Sequence, residues 1–183
     1  MAGSAPAPDG RPRRAARGRF AVVAARFNEP IVKQLVDGAV AAFTAGGVGP
    51  GAVDVHWVPG SFELPLAARH LATGRRYAGI ACVGVVIRGE TPHFDHVARE
   101  AAAGIRSVAL STGIPVTFGV ITALSEEQAW ARAGGIVGNR GAEAAEAALE
   151  MAHFVVAAGA SARRARARGS RPRARAGTAR GRR

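Results

Sequence analysis

The sequence predicts an α/β domain in which helices cover both faces of a four-stranded parallel sheet, giving three layers. Short apolar segments alternate along the chain with segments whose apolar residues recur every three or four positions. This alternation is typical of parallel sheets joined by right-handed crossovers. One segment, residues 80–87, is apolar without interruption, as expected of a strand buried on both faces. The chain has 183 residues, enough for one such domain with a sizeable core.

The elements are expected in the order β-α-β-α-β-α-β-α-α. Strands are predicted at residues 20–25, 52–58, 80–87 and 114–121. Helices are predicted from Ile31 to near Gly46, from near Phe62 to Gly74, from His93 past Ile105, from Ser125 to about Ala133, and from Gly141 to Ala158. Thr91 and Ser125 are the expected N-caps of the third and fourth helices. Glycines 134, 135 and 138 are expected to form a flexible joint.

The net charge of +12 belongs to the two ends of the chain. Residues 1–19 carry five arginines and one acid, and residues 161–183 carry ten arginines and no acid. Residues 20–160 carry ten basic and twelve acidic residues, so the predicted domain is nearly neutral and lacks the basic face of a nucleic-acid-binding fold. We therefore expect disordered basic tails at 1–19 and 160–183 around a domain at 20–159.

The composition also limits the cellular setting. A single cysteine, Cys82, lies in the predicted third strand, which excludes a disulfide framework. No apolar stretch is long enough to span a membrane, and the basic N-terminus is not followed by the apolar segment of a secretory signal. These features predict a cytoplasmic protein.

Three strand-to-helix turns carry unusual residues and should gather at the carboxyl edge of the sheet. They contain Phe27 and Asn28, the segment Ser61 to Glu63, and the segment Glu90 to His93. Open α/β sheets bind their ligands at this edge, and the N–H groups of a helix N-terminus favour anions such as phosphate. His93 is the one histidine predicted at such a turn, which favours it as a proton-transfer group over a structural histidine.

Other candidates allow two interpretations each. Phe27, Phe62 and Phe118 could stack on a flat heterocycle or could pack at the rim of the core. Glu63 could accept hydrogen bonds from a polar substrate or could complement the dipole of its helix. Arg132 could clamp a phosphate or could stabilise a helix C-terminus.

Several common chemistries are excluded by missing motifs. The sequence has no GxGxxG after the first strand, no phosphate-binding GxxxxGK[ST] loop and no GxSxG nucleophile elbow. No His, Cys and Asp cluster has the spacing of metal ligands. The single lysine, Lys33, lies within the first helix, away from the predicted edge, which makes Schiff-base catalysis by the protein improbable.

Five segments, in order, resemble the lumazine synthase family of riboflavin biosynthesis. They are ARFNEPIV (25–32), VPGSFELPLAAR (58–69), GVVIRGETPHFDHV (84–97), FGVIT (118–122), and ARAGG with GNRGAEAAEAALEMA (131–152). Together they extend over most of residues 20–155. His96 stands where the family commonly has tyrosine, and Arg140 replaces a common lysine.

The resemblance implies a flavodoxin-like three-layer α/β/α sandwich assembled as pentamers. It implies condensation of 5-amino-6-(D-ribitylamino)uracil with 3,4-dihydroxy-2-butanone 4-phosphate to 6,7-dimethyl-8-ribityllumazine, without a cofactor or metal. By position, His93 would be the acid/base. The pyrimidine and its ribityl chain would be bound by Phe27, Ser61, Phe62, Glu63, Phe118 and backbone groups of Val85, Val86 and Ile87. The butanone phosphate would be bound by Glu90, Thr91 and Arg132, with Phe118 and Arg132 coming from the neighbouring subunit.

Two other functions are also consistent with the sequence. The chain could be a synthase-like shell or scaffold that binds polyanions through its arginine-rich tails, although every expected site residue is present. It could instead be a related riboflavin synthase of the archaeal type, which its VPGSFELP and RGETPHFDHV segments resemble less. The joint between the last two helices has no insertion, which resembles members that form icosahedral capsids of twelve pentamers; pentamers and decamers remain alternatives.

Overall fold

The computed structural model describes residues 18–169 and has the predicted parallel sheet. Its strands are β1 (Arg19–Ala25), β2 (Val53–Val58), β3 (Tyr77–Ile87) and β4 (Val116–Ala123). They are ordered β2-β1-β3-β4, and each neighbouring pair is parallel. The chain therefore builds outward from β1 to one side and then crosses to the other side for β3 and β4.

Helices cover both faces of this sheet, which confirms the three-layer α/β/α sandwich. They are α1 (Glu29–Ala45), α2 (Leu64–Thr73), α3 (His93–Thr112), α4 (Glu126–Ala131) and α5 (Arg140–Gly169), and a short 3₁₀ turn, Ser61–Glu63, precedes α2. A two-stranded antiparallel hairpin of β5 (Ala133–Gly135) and β6 (Gly138–Asn139) joins α4 to α5. Among residues 18–169, those up to His153 form one compact unit, and those from Phe154 onward belong to a second.

Each face of the sheet has its own hydrophobic core. Residues of α1 and of the first half of α5 pack on one face, where the rings of Phe20 and Phe43 lie 4.8 Å apart. Residues of α2 and α3 pack on the other, around Leu64, Ile80 and Ile105. All residues of β1 from Phe20 onward are buried, and the central part of β3 is buried as well, because both strands lie inside the sheet.

Local details differ from the sequence-based expectations in three places and agree with them in one. Thr91 does not cap α3: its N-cap position is Pro92, and no side chain accepts a hydrogen bond there. Ser125 is confirmed as the cap of α4, because its Oγ accepts from the Gln128 N–H at 3.4 Å. The glycine joint is a paired hairpin. Helix α5 continues to Gly169, so residues 160–169 are helical, whereas residues 1–17 and 170–183 of the predicted tails lie outside the described chain.

A cluster of polar side chains joins the amino ends of β1, β2 and β3 through hydrogen bonds and an ion pair. The Asp54 carboxylate accepts hydrogen bonds from the Arg19 Nε at 3.2 Å and from the Tyr77 hydroxyl at 2.7 Å, and the Arg76 guanidinium lies 3.5 Å away. The hydrogen bond from Arg19, and then that from Tyr77, lowers the pKa of Asp54 from 3.8 to about 2. His56 Nε2 lies 3.1 Å from the same hydroxyl, which extends the cluster along β2.

The lowered pKa of Asp54 predicts how acid acts on this cluster. A carboxylate whose pKa falls on folding stabilises the native state above its unfolded pKa of 3.8, and that contribution is lost as the pH falls toward 2. We expect Asp54→Asn to be less stable than the parent at pH 7, with the difference shrinking between about pH 4 and pH 2. Urea midpoints across this range measure the effect, with Asp37→Asn on the exposed face of α1 as control. A difference that does not change with pH would contradict it.

Candidate active site

The carboxyl ends of β1 and β3 form the switch point of this sheet. From β1 the chain passes to β2 on one side, and it crosses to β3 on the other side, so the loops after β1 and β3 leave in opposite directions. Ligands of open α/β sheets bind in the crevice that this divergence creates. Phe27 follows β1 and residues 88–92 follow β3, so two of the three predicted turns flank that crevice.

The third predicted turn joins them through the backbone. The N–H groups of Arg26 and Phe27 donate to the carbonyls of Val58 and Pro59, at 2.8 and 3.1 Å. These bonds hold the turn after β1 against the turn that leads into Ser61–Glu63. Sheet order thus brings all three turns to one edge.

Asn28, which follows Phe27 in the first predicted turn, links the two sides of the crevice. Its backbone is left-handed, with φ 61°, and its carbonyl accepts from the N–H groups of Ile31 and Val32 at the start of α1. Its side-chain amide donates to the Val85 carbonyl on β3 at 3.5 Å. The signal in the sequence was an asparagine shortly after a strand and just before Glu-Pro, because asparagine tolerates left-handed turns better than most residues.

The aromatic side chains of the two turns face solvent. Phe27 is 71% exposed and Phe62 is 58% exposed. Neither belongs to the core clusters, which removes the core-rim interpretation for both residues. Two exposed phenylalanines on joined turns offer flat apolar surface where the sheet opens.

Ser61 has a different environment from its neighbours. Its side chain is buried, and its Oγ has no hydrogen-bond partner within the described residues. A Cβ placed on Gly84 would lie 2.6 Å from that oxygen, so the hydroxyl packs against the β3 backbone where only glycine fits. Glu63, two residues on, is half-buried, and so are Val86 and Ile87 at the end of β3, whereas Val85 is buried.

The turn after β3 presents its polar side chains at the start of α3. Glu90, Thr91 and His93 are exposed, and His93 is the first residue of that helix. Helix α3 has twenty residues, and no side chain caps its N-terminus. Its first N–H groups and the positive end of its dipole therefore face this turn. An anion and a histidine can therefore lie side by side here.

Within one chain, neither Phe118 nor Arg132 lies at this edge of the sheet. Phe118 is 43% exposed on the outer strand β4, where it pairs with Cys82, five residues before Ile87. At a strand rise of about 3.3 Å per residue, that is about 16 Å from the carboxyl end of β3. Arg132 ends α4, and its guanidinium donates to the Gln128 carbonyl of its own helix at 3.0 Å.

A cavity of about 550 Å³ lies beside Arg132 but apart from the three turns. It is lined by α1, α4 and the hairpin, through Gln34, Glu127, Trp130, Ala131, Ala133, Gly134, Gly135 and Ile136. None of the predicted site residues lines it.

Other chemistries find no support among residues 18–169. Burial raises the pKa of the Cys82 thiol to about 12, so it does not supply a thiolate. No group of three or more His, Cys, Asp or Glu side chains in that range is arranged to hold a metal ion. Within the same range, no helix has the length and apolar character needed to cross a bilayer.

The chain matches a protein-family model over residues 17–155, from just before β1 into α5. The family is described as 6,7-dimethyl-8-ribityllumazine synthase. The matched range is more than three quarters of the chain and contains every turn described above. The sheet order and the three-layer architecture agree with the fold expected from the resemblance. The chain therefore belongs to the 6,7-dimethyl-8-ribityllumazine synthase family, transferases of riboflavin biosynthesis.

Proposed function

We propose that this protein condenses 5-amino-6-(D-ribitylamino)uracil with 3,4-dihydroxy-2-butanone 4-phosphate to form 6,7-dimethyl-8-ribityllumazine, phosphate and water. One observation carries the proposal: in a chain of the synthase family, the turns after β1, β2 and β3 meet at the switch point of the sheet. An exposed aromatic surface and an anion-favouring helix end then lie on the two sides of one crevice.

The pyrimidine side is assigned to the turns after β1 and β2. The exposed ring of Phe27 stacks on the heterocycle, with Phe62 beside it. Glu63 accepts hydrogen bonds from the ribityl chain, and the backbone of Val85, Val86 and Ile87 holds the edge of the ring. Since the Ser61 hydroxyl is buried against Gly84, we assign Ser61 a role through its backbone rather than through its hydroxyl.

The butanone phosphate is assigned to the start of α3. Its phosphate lies at the helix N-terminus beside Glu90 and Thr91, where the dipole and unpaired N–H groups favour an anion. His93 follows immediately and exchanges protons with the reacting carbons and leaving group. Arg132 adds a guanidinium, which binds phosphate oxygens in bidentate geometry.

We assign two of these groups to a second copy of the chain. Phe118 lies about 16 Å before the carboxyl edge of its own sheet, and the Arg132 side chain is turned back onto α4. Both residues are accessible on the outer strand and on the helix that follows it. We therefore infer a homo-oligomer, with pentamers as its unit, in which each site lies between subunits.

The lysine content fits this chemistry. The amine of one substrate attacks the ketone of the other and releases water, so the imine forms between the two ligands and needs no protein amine. The single lysine is exposed on α1, where it pairs with Glu29 at 2.9 Å. The main contribution of the protein is to hold two substrates in reacting geometry. This lowers the entropic part of the activation barrier, because a bimolecular step becomes effectively unimolecular.

Purified protein mixed with both substrates tests the proposal through the absorbance of the lumazine product. We expect turnover by the parent and a rate about 10²-fold lower for His93→Ala, a typical loss for a general acid/base. His70→Ala is the matched control, because His70 is an exposed helical histidine of α2 away from the three turns. The absence of product from the parent, or equal rates for His93→Ala and His70→Ala, would refute the proposal.

A further inference from the structure

A close contact between β3 and the turn before α2 lies behind the pyrimidine side of the proposed site. A Cβ placed on Gly84 would lie 2.6 Å from the Ser61 Oγ. The next two atoms, the Ala25 Cβ and the Leu64 Cδ1, would lie at 3.3 and 3.5 Å. These two distances are close to ordinary contact, whereas the first is about 1 Å too short. The Ser61 hydroxyl therefore occupies the space that a side chain at position 84 would need.

Space, rather than backbone conformation, accounts for glycine at position 84. The φ angle of Gly84 is not positive, and the register of β3 with β4 continues regularly through it. A glycine inside a regular strand often marks a place where another part of the chain approaches closely. The part that approaches Gly84 most closely is the side chain of Ser61.

Ser61 is the only buried residue of the 3₁₀ turn Ser61–Glu63. Phe62 is largely exposed and Glu63 is half-buried, so neither fixes the turn against the core. The Ser61 Oγ has no hydrogen-bond partner among the described residues, which leaves packing to hold it in place. The positions of Phe62 and Glu63 therefore depend on how Ser61 packs against Gly84.

We propose that Gly84 is a positioning residue for the pyrimidine substrate, because the room it leaves for Ser61 sets the positions of Phe62 and Glu63. This inference rests on the proposed function, in which those two side chains bind the heterocycle and its ribityl chain. Gly84 is buried and has no side chain, so it acts through Ser61. The atoms nearest to a Cβ at this position belong to β1, the 3₁₀ turn and α2, and not to the start of α3, where the phosphate is assigned.

Calorimetric titration with the pyrimidine substrate alone, together with KM for each substrate, tests this role. Gly84→Ala should displace the turn by about 1 Å, and a displacement of this size can cost about 10²-fold in rate. We expect the affinity for the pyrimidine to fall by about 10-fold or more, with KM for the butanone phosphate nearly unchanged. Gly79→Ala is the matched control on the same strand, because a Cβ there would lie 3.0 Å from the Phe20 ring in the other core. Its affinity for the pyrimidine should equal that of the parent.

The double variant Gly84→Ala with Ser61→Ala tests whether the effect passes through Ser61. It removes the hydroxyl and adds a methyl group on the other side of the contact, so the filled volume is nearly conserved. The nearest remaining atoms to the new methyl lie at 3.3 and 3.5 Å. We expect the double variant to recover most of the affinity that Gly84→Ala loses. If Gly84→Ala does not fold, Ser61→Gly tests the same contact: it leaves the space beside Gly84 empty, frees the turn and should weaken pyrimidine binding.

The outcomes separate this role from the synthase reaction itself. Parental affinity in Gly84→Ala, an equal loss in Gly79→Ala, or a loss that the double variant does not recover would overturn the proposal. Parental affinity in Ser61→Gly would overturn it where Gly84→Ala does not fold. A parent that binds the pyrimidine but forms no product would refute the proposed reaction and leave the positioning role standing. A parent that does not bind the pyrimidine would refute both.

Discussion

Gly141→Ala is expected to lower the free energy of unfolding by about 3 kcal/mol or more, at the upper end of the cost of overpacking a core. A Cβ at this position would lie 2.0 Å from the carbonyl oxygen of Leu35 and 2.7 Å from its carbonyl carbon. Both are backbone atoms inside α1, so no side-chain rotation relieves the clash. The first turn of α5 would have to move away from α1 and open one of the two cores.

Gly159→Ala provides the control on the same helix. No atom lies within 4 Å of a Cβ at Gly159, so the added methyl meets open space, and alanine favours a helix over glycine by about 0.5–1 kcal/mol. Urea unfolding compares the two variants through the midpoint and slope of the transition. If Gly141→Ala unfolds at the parent's midpoint, α5 does not approach α1 as closely as described.

The fold could be predicted because its main elements are recorded in local patterns. The apolar run at residues 80–87 corresponds to the buried centre of β3, and alternating strands and helices determine a parallel sheet. The requirement for glycine at position 141 could not be predicted. It depends on a contact with α1, about a hundred residues earlier in the chain, and nothing in the neighbouring sequence records that distance.

The hairpin between α4 and α5 shows the same limit. Its three glycines indicated flexibility, yet Asn139 gives the segment one defined geometry. Its side-chain oxygen accepts from the N–H groups of Gly141 and Ala142, at 2.9 and 3.0 Å, and its amide donates to the Gln34 carbonyl on α1 at 2.8 Å. Asparagine is a common helix cap, but the partner on α1 became visible only in the folded chain.

The candidate site was predictable to the extent that it depends on strand ends. Residues that follow parallel strands meet at one edge, which correctly grouped Phe27, Ser61 and the start of α3. The hydrogen bond from Asn28 to Val85 and the burial of the Ser61 hydroxyl were not predictable, since they depend on how β1 and the 3₁₀ turn pack against β3. The sequence left Phe118 with the same two interpretations as Phe27, and only the register with Cys82 shows that it lies within β4, away from the carboxyl edge.

Mixing two inactive variants should restore activity if each site is shared between subunits. His93→Ala and Arg132→Ala each remove one group from every site, so each variant alone should be impaired, the first by about 10²-fold. In oligomers assembled from equal amounts of both, random assortment places an intact His93 opposite an intact Arg132 of the neighbour in roughly a quarter of the sites. We therefore expect the mixture to regain roughly a quarter of the parent's rate, far above either variant.

The matching control is a mixture of His93→Ala with Phe27→Ala. Both residues lie at the carboxyl edge of the same subunit's sheet, so every subunit in this mixture lacks one of the two side chains that its site needs. No recovery of activity is therefore expected. The variants are unfolded and refolded together, and pull-down through distinct affinity tags verifies that subunits have mixed.

Recovery of activity in the mixture of His93→Ala with Arg132→Ala, but not in the control mixture, would place the phosphate-binding guanidinium on the neighbouring chain. If mixed oligomers of His93→Ala and Arg132→Ala are no more active than either variant alone, Arg132 acts within its own subunit or not at all. The proposal that each site is shared between subunits would then be wrong. That result would leave the parent's own synthase activity unaffected, so the test separates the architecture of the site from the reaction it performs.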